Sequence, residues 1–104
     1  MSVLLELTIF PLDQGGSGVS RFVAPVVAMV RDSGYPHQLG PMGTVVETET
    51  LPEALALIER AQAILDGMGC ERVYAVAKFD IRKRAEGRLA GKIASVEHRL
   101  GAPE

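Results

Sequence analysis

The stretch that decides the fold is RVYAVAKFDI, residues 72–81, which has the composition of a β-strand. β-Branched and aromatic residues favour strands, and successive side chains along a strand point to opposite faces of the sheet. One alternating set of these residues is apolar and suits a core: Val73, Ala75, Ala77 and Phe79. The other set lies on the opposite face: Tyr74, Val76, Lys78 and Asp80. The stretch therefore predicts a strand with one buried face and one face of mixed polarity.

Upstream of this strand, the N-terminal third of the chain predicts a strand followed by a helix. Residues 3–10, VLLELTIF, are rich in strand formers, whereas residues 19–31 repeat apolar side chains at helical spacing. Ser17 and Ser20 are both candidate N-caps, because a serine hydroxyl can accept a hydrogen bond from a free amide of the first turn. Pro25 is expected to weaken or bend this helix unless it lies close to the start.

The middle and the end of the chain add two short strands and two helices. YPHQL (residues 35–39) and GTVVETE (residues 43–49) predict strands that are joined at the turn GPMG. Thr50 and Glu53 have the spacing of a capping box, so a helix is expected to begin there and to end at DGMG, residues 66–69. A last apolar stripe predicts a short C-terminal helix: Leu89, Ile93, Val96 and Leu100.

The predicted order of elements is β-α-β-β-α-β-α, which indicates an α+β fold. Right-handed crossovers then favour a four-stranded antiparallel sheet with two helices on one face, the ferredoxin-like arrangement. The C-terminal helix is an addition to that arrangement. At 104 residues the chain is expected to form one domain, residues 1–104, with a single core.

Composition and charge argue against several classes of protein. No apolar run approaches the roughly 20 residues that a membrane span needs. The formal net charge of −2 argues against a general affinity for nucleic acid or for anionic membranes. Cys70 is the only cysteine, so an internal disulfide is impossible and a cytoplasmic location is expected.

The glycine-rich segment DQGGSGVS, residues 13–20, resembles a phosphate-binding loop but lacks the residues that such loops need. A Walker A loop requires a lysine, and a dinucleotide fingerprint requires a third glycine where this chain has Arg21. A flexible turn before the helix is the favoured interpretation, and no nucleotide site is predicted.

No catalytic or metal centre is predicted. His37, His98 and Cys70 fall in three different elements and lack the close spacing of metal ligands. No nucleophile stands beside a base as a pair, so the chain is not expected to be an enzyme or to need a cofactor.

A basic cluster follows residues 72–81 and contains four cations: Arg82, Lys83, Arg84 and Arg88. It is interpreted either as a solvated segment or as a contact for phosphate or carboxylate at the mouth of a pocket, where the arginine fork is favourable.

Two helices cover only one face of such a sheet, so binding or assembly is expected on the uncovered face. Alternation places a mixed set of side chains there: Glu6, Thr8, Phe10, Val45, Glu47, Tyr74, Val76, Lys78 and Asp80. One interpretation is a sheet-to-sheet interface between copies of the chain, in which Glu6 or Glu47 pairs with Lys78. The other is that this interface also encloses a polar ligand pocket, where carboxylates accept hydrogen bonds and Phe10 or Tyr74 stacks on the ligand.

Three motifs together resemble the small thiamine-binding protein family, which consists of stand-alone YkoF-like domains. They are ELTIFPL (residues 6–12), GPMGTVVE (residues 40–47) and RVYAVAKFDIRKR (residues 72–84). The resemblance implies a ferredoxin-like subunit that pairs into homo-oligomers, dimers and tetramers, with sheets joined across subunits. It also implies non-enzymatic binding of thiamine or of a related hydroxymethylpyrimidine compound.

The resemblance extends to individual residues. Gly43, Thr44 and Glu47 match in MGTVVE, and Asp80 and Arg82 match in FDIR. Together with two residues of the uncovered face they form the predicted ligand-binding set: Thr8, Gly43, Thr44, Glu47, Tyr74, Asp80 and Arg82. The chain departs from the family at Gly18, where relatives often carry a serine.

The uncovered face suits thiamine, which carries a thiazolium cation and an aminopyrimidine. The cation is favoured beside Glu6 or Glu47, and an aromatic ring such as that of Tyr74 adds a cation–π attraction. The alternative function is that of a structural or regulatory homo-oligomer without a thiamine ligand.

Overall fold

The structure is a computed structural model that describes residues 1–16 and 18–101. These residues form four strands and three helices: β1 (Ser2–Pro11), α1 (Ser20–Asp32), β2 (His37–Gly40), β3 (Gly43–Thr48), α2 (Leu51–Gly67), β4 (Val73–Arg82) and α3 (Arg88–Arg99). The predicted order of elements and the ferredoxin-like α+β fold are confirmed. Within the described ranges, no helix combines the length and the apolar character needed to cross a membrane.

The sheet is antiparallel and has the strand order β2-β3-β1-β4. In its register Leu5 of β1 lies opposite Val46 of β3 and Phe79 of β4. Glu6, one position along, lies opposite Lys78 and therefore on the other face. The predicted alternation is thus confirmed for β1 and β3.

In β4 the register also separates the two faces, but the prediction that Val73, Ala75, Ala77 and Phe79 form a buried face is wrong. Only Val73 is half-buried against the core, and the other three are exposed because β4 is the edge strand and the helices pack mainly on β1 and β3.

Helices α1 and α2 pack on the face that carries Leu5, and the hydrophobic core lies between them and the sheet. Helix α1 continues through Pro25, so the proline does not end it. Val19 occupies the N-cap position and makes no side-chain cap hydrogen bond. The prediction of Ser20 as N-cap is wrong, because Ser20 is already the first helical residue, and Ser17 lies outside the described residues.

Helix α2 has the predicted capping box. The Thr50 hydroxyl accepts a hydrogen bond from the Glu53 amide at 3.3 Å, and the Glu53 carboxylate accepts one from the Thr50 amide at 2.9 Å. At the other end Gly69 has a φ of +85°, and the amide of Cys70 donates to the carbonyl of Leu65 at 3.1 Å. Only glycine adopts that backbone conformation without strain, so the helix stops there.

Helix α3 packs against β1 and β3 on the face opposite α1 and α2. That face is therefore covered at one end, where Ser2 and Leu4 are buried. Beyond its first turn α3 leaves its apolar stripe exposed: Ile93, Val96 and Leu100. The expectation that this face is fully uncovered is therefore wrong at the end under α3. We call the uncovered part the open face; it carries Glu6, Thr8, Phe10, Tyr74, Val76 and Lys78.

Replacing Thr50 by alanine is expected to lower the free energy of unfolding by about 1 kcal/mol, because the free Glu53 amide loses its acceptor. Thr50→Ser keeps a hydroxyl and serves as the control. Urea denaturation monitored by circular dichroism measures both variants. Equal stability of the two would contradict a contribution from the capping box.

Candidate functional site

The structure does not bring the predicted ligand set together at one point. Thr8, Gly43 and Thr44 lie close to one another at the β2–β3 turn. Tyr74 lies on the open face opposite Phe10. The remaining three lie at the end of the sheet that α3 covers or borders: Glu47, Asp80 and Arg82.

Glu47 is buried, and its carboxylate holds the N-terminus of α3. It accepts hydrogen bonds from the Ser2 hydroxyl at 2.6 Å, the Arg88 amide at 3.0 Å and the Leu89 amide at 3.2 Å. The first amides of a helix have no partner within the helix, and they lie at the positive end of its dipole. Burial alone raises the pKa of Glu47, but these hydrogen bonds outweigh it and bring the pKa below its ordinary value.

Arg88 completes this contact from the helix side. Its guanidinium Nε donates to the Ser2 hydroxyl at 3.0 Å, and Nη2 donates to the carbonyls of Ser2, at 2.9 Å, and of Asp80. Nη1 lies 2.9 Å from Asp80 Oδ1 as an ion pair without an aligned hydrogen bond. We refer to Ser2, Glu47, Asp80 and Arg88 as the α3 clamp.

Asp80 is held in its charged form by two cations. The Lys92 ammonium lies 2.9 Å from Oδ2, and together with Arg88 it lowers the pKa of Asp80 from 3.8 to about 2. The solvated interpretation of the basic cluster is wrong for Arg88, which is buried, whereas Arg82, Lys83 and Arg84 are exposed. The sequence gives little indication that Arg88 is buried while its three neighbours are exposed. Its one mark is that Arg88 follows Gly87, which occupies the N-cap position of α3 with a positive φ.

The open face carries an aromatic pair and an exposed ion pair. The rings of Phe10 and Tyr74 are 5.4 Å apart and tilted by 43°. Lys78 pairs with Glu6 of the same chain at 3.5 Å, and Glu47 binds α3 instead. Pairing of Lys78 across an interface between copies of the chain stays a prediction. Exposed pairs of this kind contribute at most about 1 kcal/mol. The open face therefore offers a stacking surface beside a carboxylate.

A cavity of about 300 Å³ lies on the other side of the sheet, between α1, β1 and the β2–β3 turn. Its walls are mostly aliphatic and include Leu7, Ile9, Val19, Val23, Val27 and Leu39. None of the described residues that line it carries a charge. Two members of the predicted ligand set, Thr8 and Thr44, are among its lining residues. The Thr44 side chain lies on the cavity side of the sheet, whereas the Thr8 side chain lies on the open face.

The three predicted residues at the turn have distinct roles around this cavity. Gly43 approaches β1 so closely that a Cβ there would lie 2.8 Å from Thr8 Oγ1 and 3.2 Å from the Leu7 carbonyl oxygen. The Thr8 hydroxyl donates to the Met42 carbonyl at 2.6 Å. Thr44 lies on the helix face opposite Leu7, and within the described residues its hydroxyl makes no hydrogen bond. Thr44 is therefore free to bind a polar atom inside the cavity.

Glu47→Gln is expected to loosen α3, because an amide nitrogen replaces one of the oxygens that accept its N–H groups. Hydrogen bonds to a charged group contribute about 1.5–3 kcal/mol, so amide hydrogen exchange in α3 should accelerate about tenfold or more. Exchange in α2 should not change. Glu49→Gln, two residues further along the chain and exposed, is the matched control.

The same contact predicts a dependence on pH. The carboxylates of Glu47 and Asp80 both have a lowered pKa in the folded protein. Their contribution to the stability of α3 is therefore complete above the pKa of the unfolded chain and is lost as the pH falls. For Asp80 the interval runs from 3.8 down to about 2. Protection of α3 that stays constant over this interval, or that Glu47→Gln leaves unchanged at neutral pH, would contradict the α3 clamp.

Comparisons with known proteins assign this architecture to a family. The family model described as thiamine-binding protein matches residues 5–97. A UPF0045 protein of Mycobacterium bovis is 38% identical over 104 residues, which is 100% of both chains. A UPF0045 protein of Methanothermobacter thermautotrophicus is 30% identical over 98 residues, covering 94% of this chain and 99% of that one.

Solved structures agree with the fold. A hypothetical protein of Methanocaldococcus jannascii superposes with a TM-score of 0.76 at 29% identity, covering 91% of this chain and 95% of its own. A protein of Thermotoga maritima, provisionally named a thiamine biosynthesis/salvage protein, has a TM-score of 0.78 at 14% identity, covering 92% and 99%. The family match and the relatives that align along nearly the whole chain lead to one conclusion: the chain belongs to the thiamine-binding protein family.

Proposed function

We propose that this protein binds thiamine or a related hydroxymethylpyrimidine compound and does not transform it. The cavity beside Thr44 carries this proposal, because it offers an apolar space and a free hydroxyl within a member of the thiamine-binding family. The provisional name of the Thermotoga maritima protein, a similar fold, agrees with this ligand class.

The aminopyrimidine is the part of the ligand that suits the cavity. At about 300 Å³ the cavity is at the lower end of the range for small-molecule sites, which is enough for a single substituted ring. The Thr44 hydroxyl can donate to a ring nitrogen or accept from the exocyclic amine. A thiazolium cation would remain outside, since the described lining has no anion to compensate its desolvation.

The open face is the other location, as the sequence predicted. Phe10 and Tyr74 offer a stacking surface there, and the half-exposed carboxylate of Glu6 can face a cation. A second copy of the chain would have to close this surface into a pocket.

In the proposal Glu47 and Asp80 do not contact the ligand but hold α3 in place, since Arg88 and the α3 amides already occupy their oxygens. Exposed Arg82 remains a candidate for contact with a phosphate ester.

Isothermal titration calorimetry with thiamine and with free hydroxymethylpyrimidine tests the proposal. Val23→Phe fills the cavity and should abolish binding, whereas Val76→Phe adds the same bulk on the open face and should leave binding unchanged. Thr44→Val should weaken binding by about two- to tenfold, the effect of one hydrogen bond, and Thr44→Ser should restore it.

The outcomes separate the two locations. Loss of binding in Val76→Phe together with retention in Val23→Phe would place the ligand on the open face. Absence of saturable binding of both compounds to the unaltered protein would overturn the proposed function.

We also propose that the chain forms a homo-oligomer, a dimer or a tetramer, through β4. This ten-residue strand is at the edge of the sheet, so one row of its backbone groups has no strand partner within the described residues. On the helix side Phe79 and Ile81 are 38% and 46% exposed. A long apolar edge strand is a template for pairing with another chain. Such an assembly supports ligand binding or, in the alternative function, a purely structural or regulatory role.

The protein is placed in the cytoplasm in this proposal, since its lone cysteine, Cys70, is a buried free thiol and reducing compartments preserve such thiols.

Phe79→Glu is expected to shift the protein to monomers, because it puts a charge into the middle of the proposed interface. Sedimentation velocity at micromolar concentration measures the shift. Leu55→Glu, an exposed apolar residue on α2, is the matched control and should leave the assembly intact. An unaltered protein that sediments as a monomer would contradict self-association through β4.

A further inference from the structure

The β2–β3 turn, residues 40–43, forms one wall of the cavity. Pro41 and Met42 line the cavity from this turn, and Leu39 lines it from the adjoining end of β2. Met42 is 82% exposed and Leu39 is 62% exposed, so these side chains border the cavity on its solvent side. A ligand that enters from this side has to pass the turn.

The turn is attached to the rest of the sheet by few contacts. Strand β2 has only four residues, is the outer strand of the sheet and pairs with β3 alone. The ladder between β1 and β3 ends at the pair Leu7–Thr44, so the turn extends past it. Across the described residues, the turn has a single side-chain hydrogen bond, from the Thr8 hydroxyl to the Met42 carbonyl at 2.6 Å.

Gly43 brings the turn close enough for this hydrogen bond. A side chain at that position would collide with Thr8 Oγ1 at 2.8 Å and approach the Leu7 carbonyl oxygen at 3.2 Å. The turn therefore rests directly on the backbone of β1. The Thr8 hydroxyl, on the open face of the sheet, adds one hydrogen bond to the turn beyond the end of the ladder.

The opposite wall also has a loosely fixed end. Helix α1 contributes Val19 and Val23 to the lining, and its N-terminus has no side-chain cap. Val19 is 40% exposed. The cavity thus lies between the β2–β3 turn and the uncapped N-terminus of α1, while its floor on β1 is part of the core.

We propose that the β2–β3 turn is a lid over the cavity and that the Thr8–Met42 hydrogen bond holds it closed. The proposal rests on the proposed function in so far as the cavity is the ligand site. When the hydrogen bond breaks, the turn remains attached through β2 and β3 and swings away from β1. The rate of ligand exchange then follows the population of the open lid.

Thr8→Val tests the lid in the free protein, because valine has the shape of threonine but no hydroxyl. Loss of a hydrogen bond worth about 0.5–1.5 kcal/mol raises the population of the open lid by about two- to tenfold. Amide hydrogen exchange at residues 39–44, measured by NMR, should accelerate by that factor. Thr8→Ser keeps the hydroxyl and should exchange like the unaltered protein, and amides of α2 should not change in either variant.

Binding kinetics provide the second measurement, with thiamine as the probe. Because Thr8→Val raises the population of the open lid, it should raise the association and the dissociation rates of thiamine together, by about the same two- to tenfold. If thiamine does not bind to any variant, the proposed function fails, and the amide exchange of the free protein still decides the lid. Unchanged exchange at residues 39–44 in Thr8→Val, or acceleration spread over the whole chain, overturns the lid.

Discussion

Strand β1 is the constraint on which the rest of the structure depends. It is hydrogen-bonded along both edges, to β3 and to β4, and Val3 and Leu5 on its helix face are fully buried. On its other face Ser2 and Leu4 are buried under α3. Because side chains alternate along a strand, a shift of one residue would exchange the two faces and separate α3 from its partners. The positions of the cavity and the open face both follow from this register.

The α3 clamp is the contact that makes the two faces of the sheet different. A buried carboxylate is costly unless each oxygen is compensated, and Glu47 obtains this compensation from the hydroxyl of Ser2 and two amides of α3. Arg88 in turn needs Asp80 and the backbone of Ser2. Two residues that match the family motif, Glu47 and Asp80, thus act in the folded chain as supports for a helix.

The parts of the structure that local patterns determine could be predicted from the sequence. The alternation of strand side chains, the identity of each helix or strand and the capping box of Thr50 and Glu53 each depend on residues that are close together in the chain. The docking of α3 could not be predicted, because the hydrogen bonds of Arg88 reach Glu47, 41 positions away in the chain, and Ser2, 86 positions away. Thr44 follows the alternation to the helix face, yet the cavity there depends on how far α1 lies from the sheet. No sequence pattern determines that distance.

The pairing of β1 with β4 also determines how the chain can fold during synthesis. The first strand joins the last one along ten residue pairs, from Ser2 opposite Arg82 to Pro11 opposite Val73. Contacts so distant in sequence slow folding, since most of the chain must be ordered before they form. Until β4 leaves the ribosome, one edge of the central strand has no partner, and the nascent chain has the properties of an unfinished sheet that chaperones recognise.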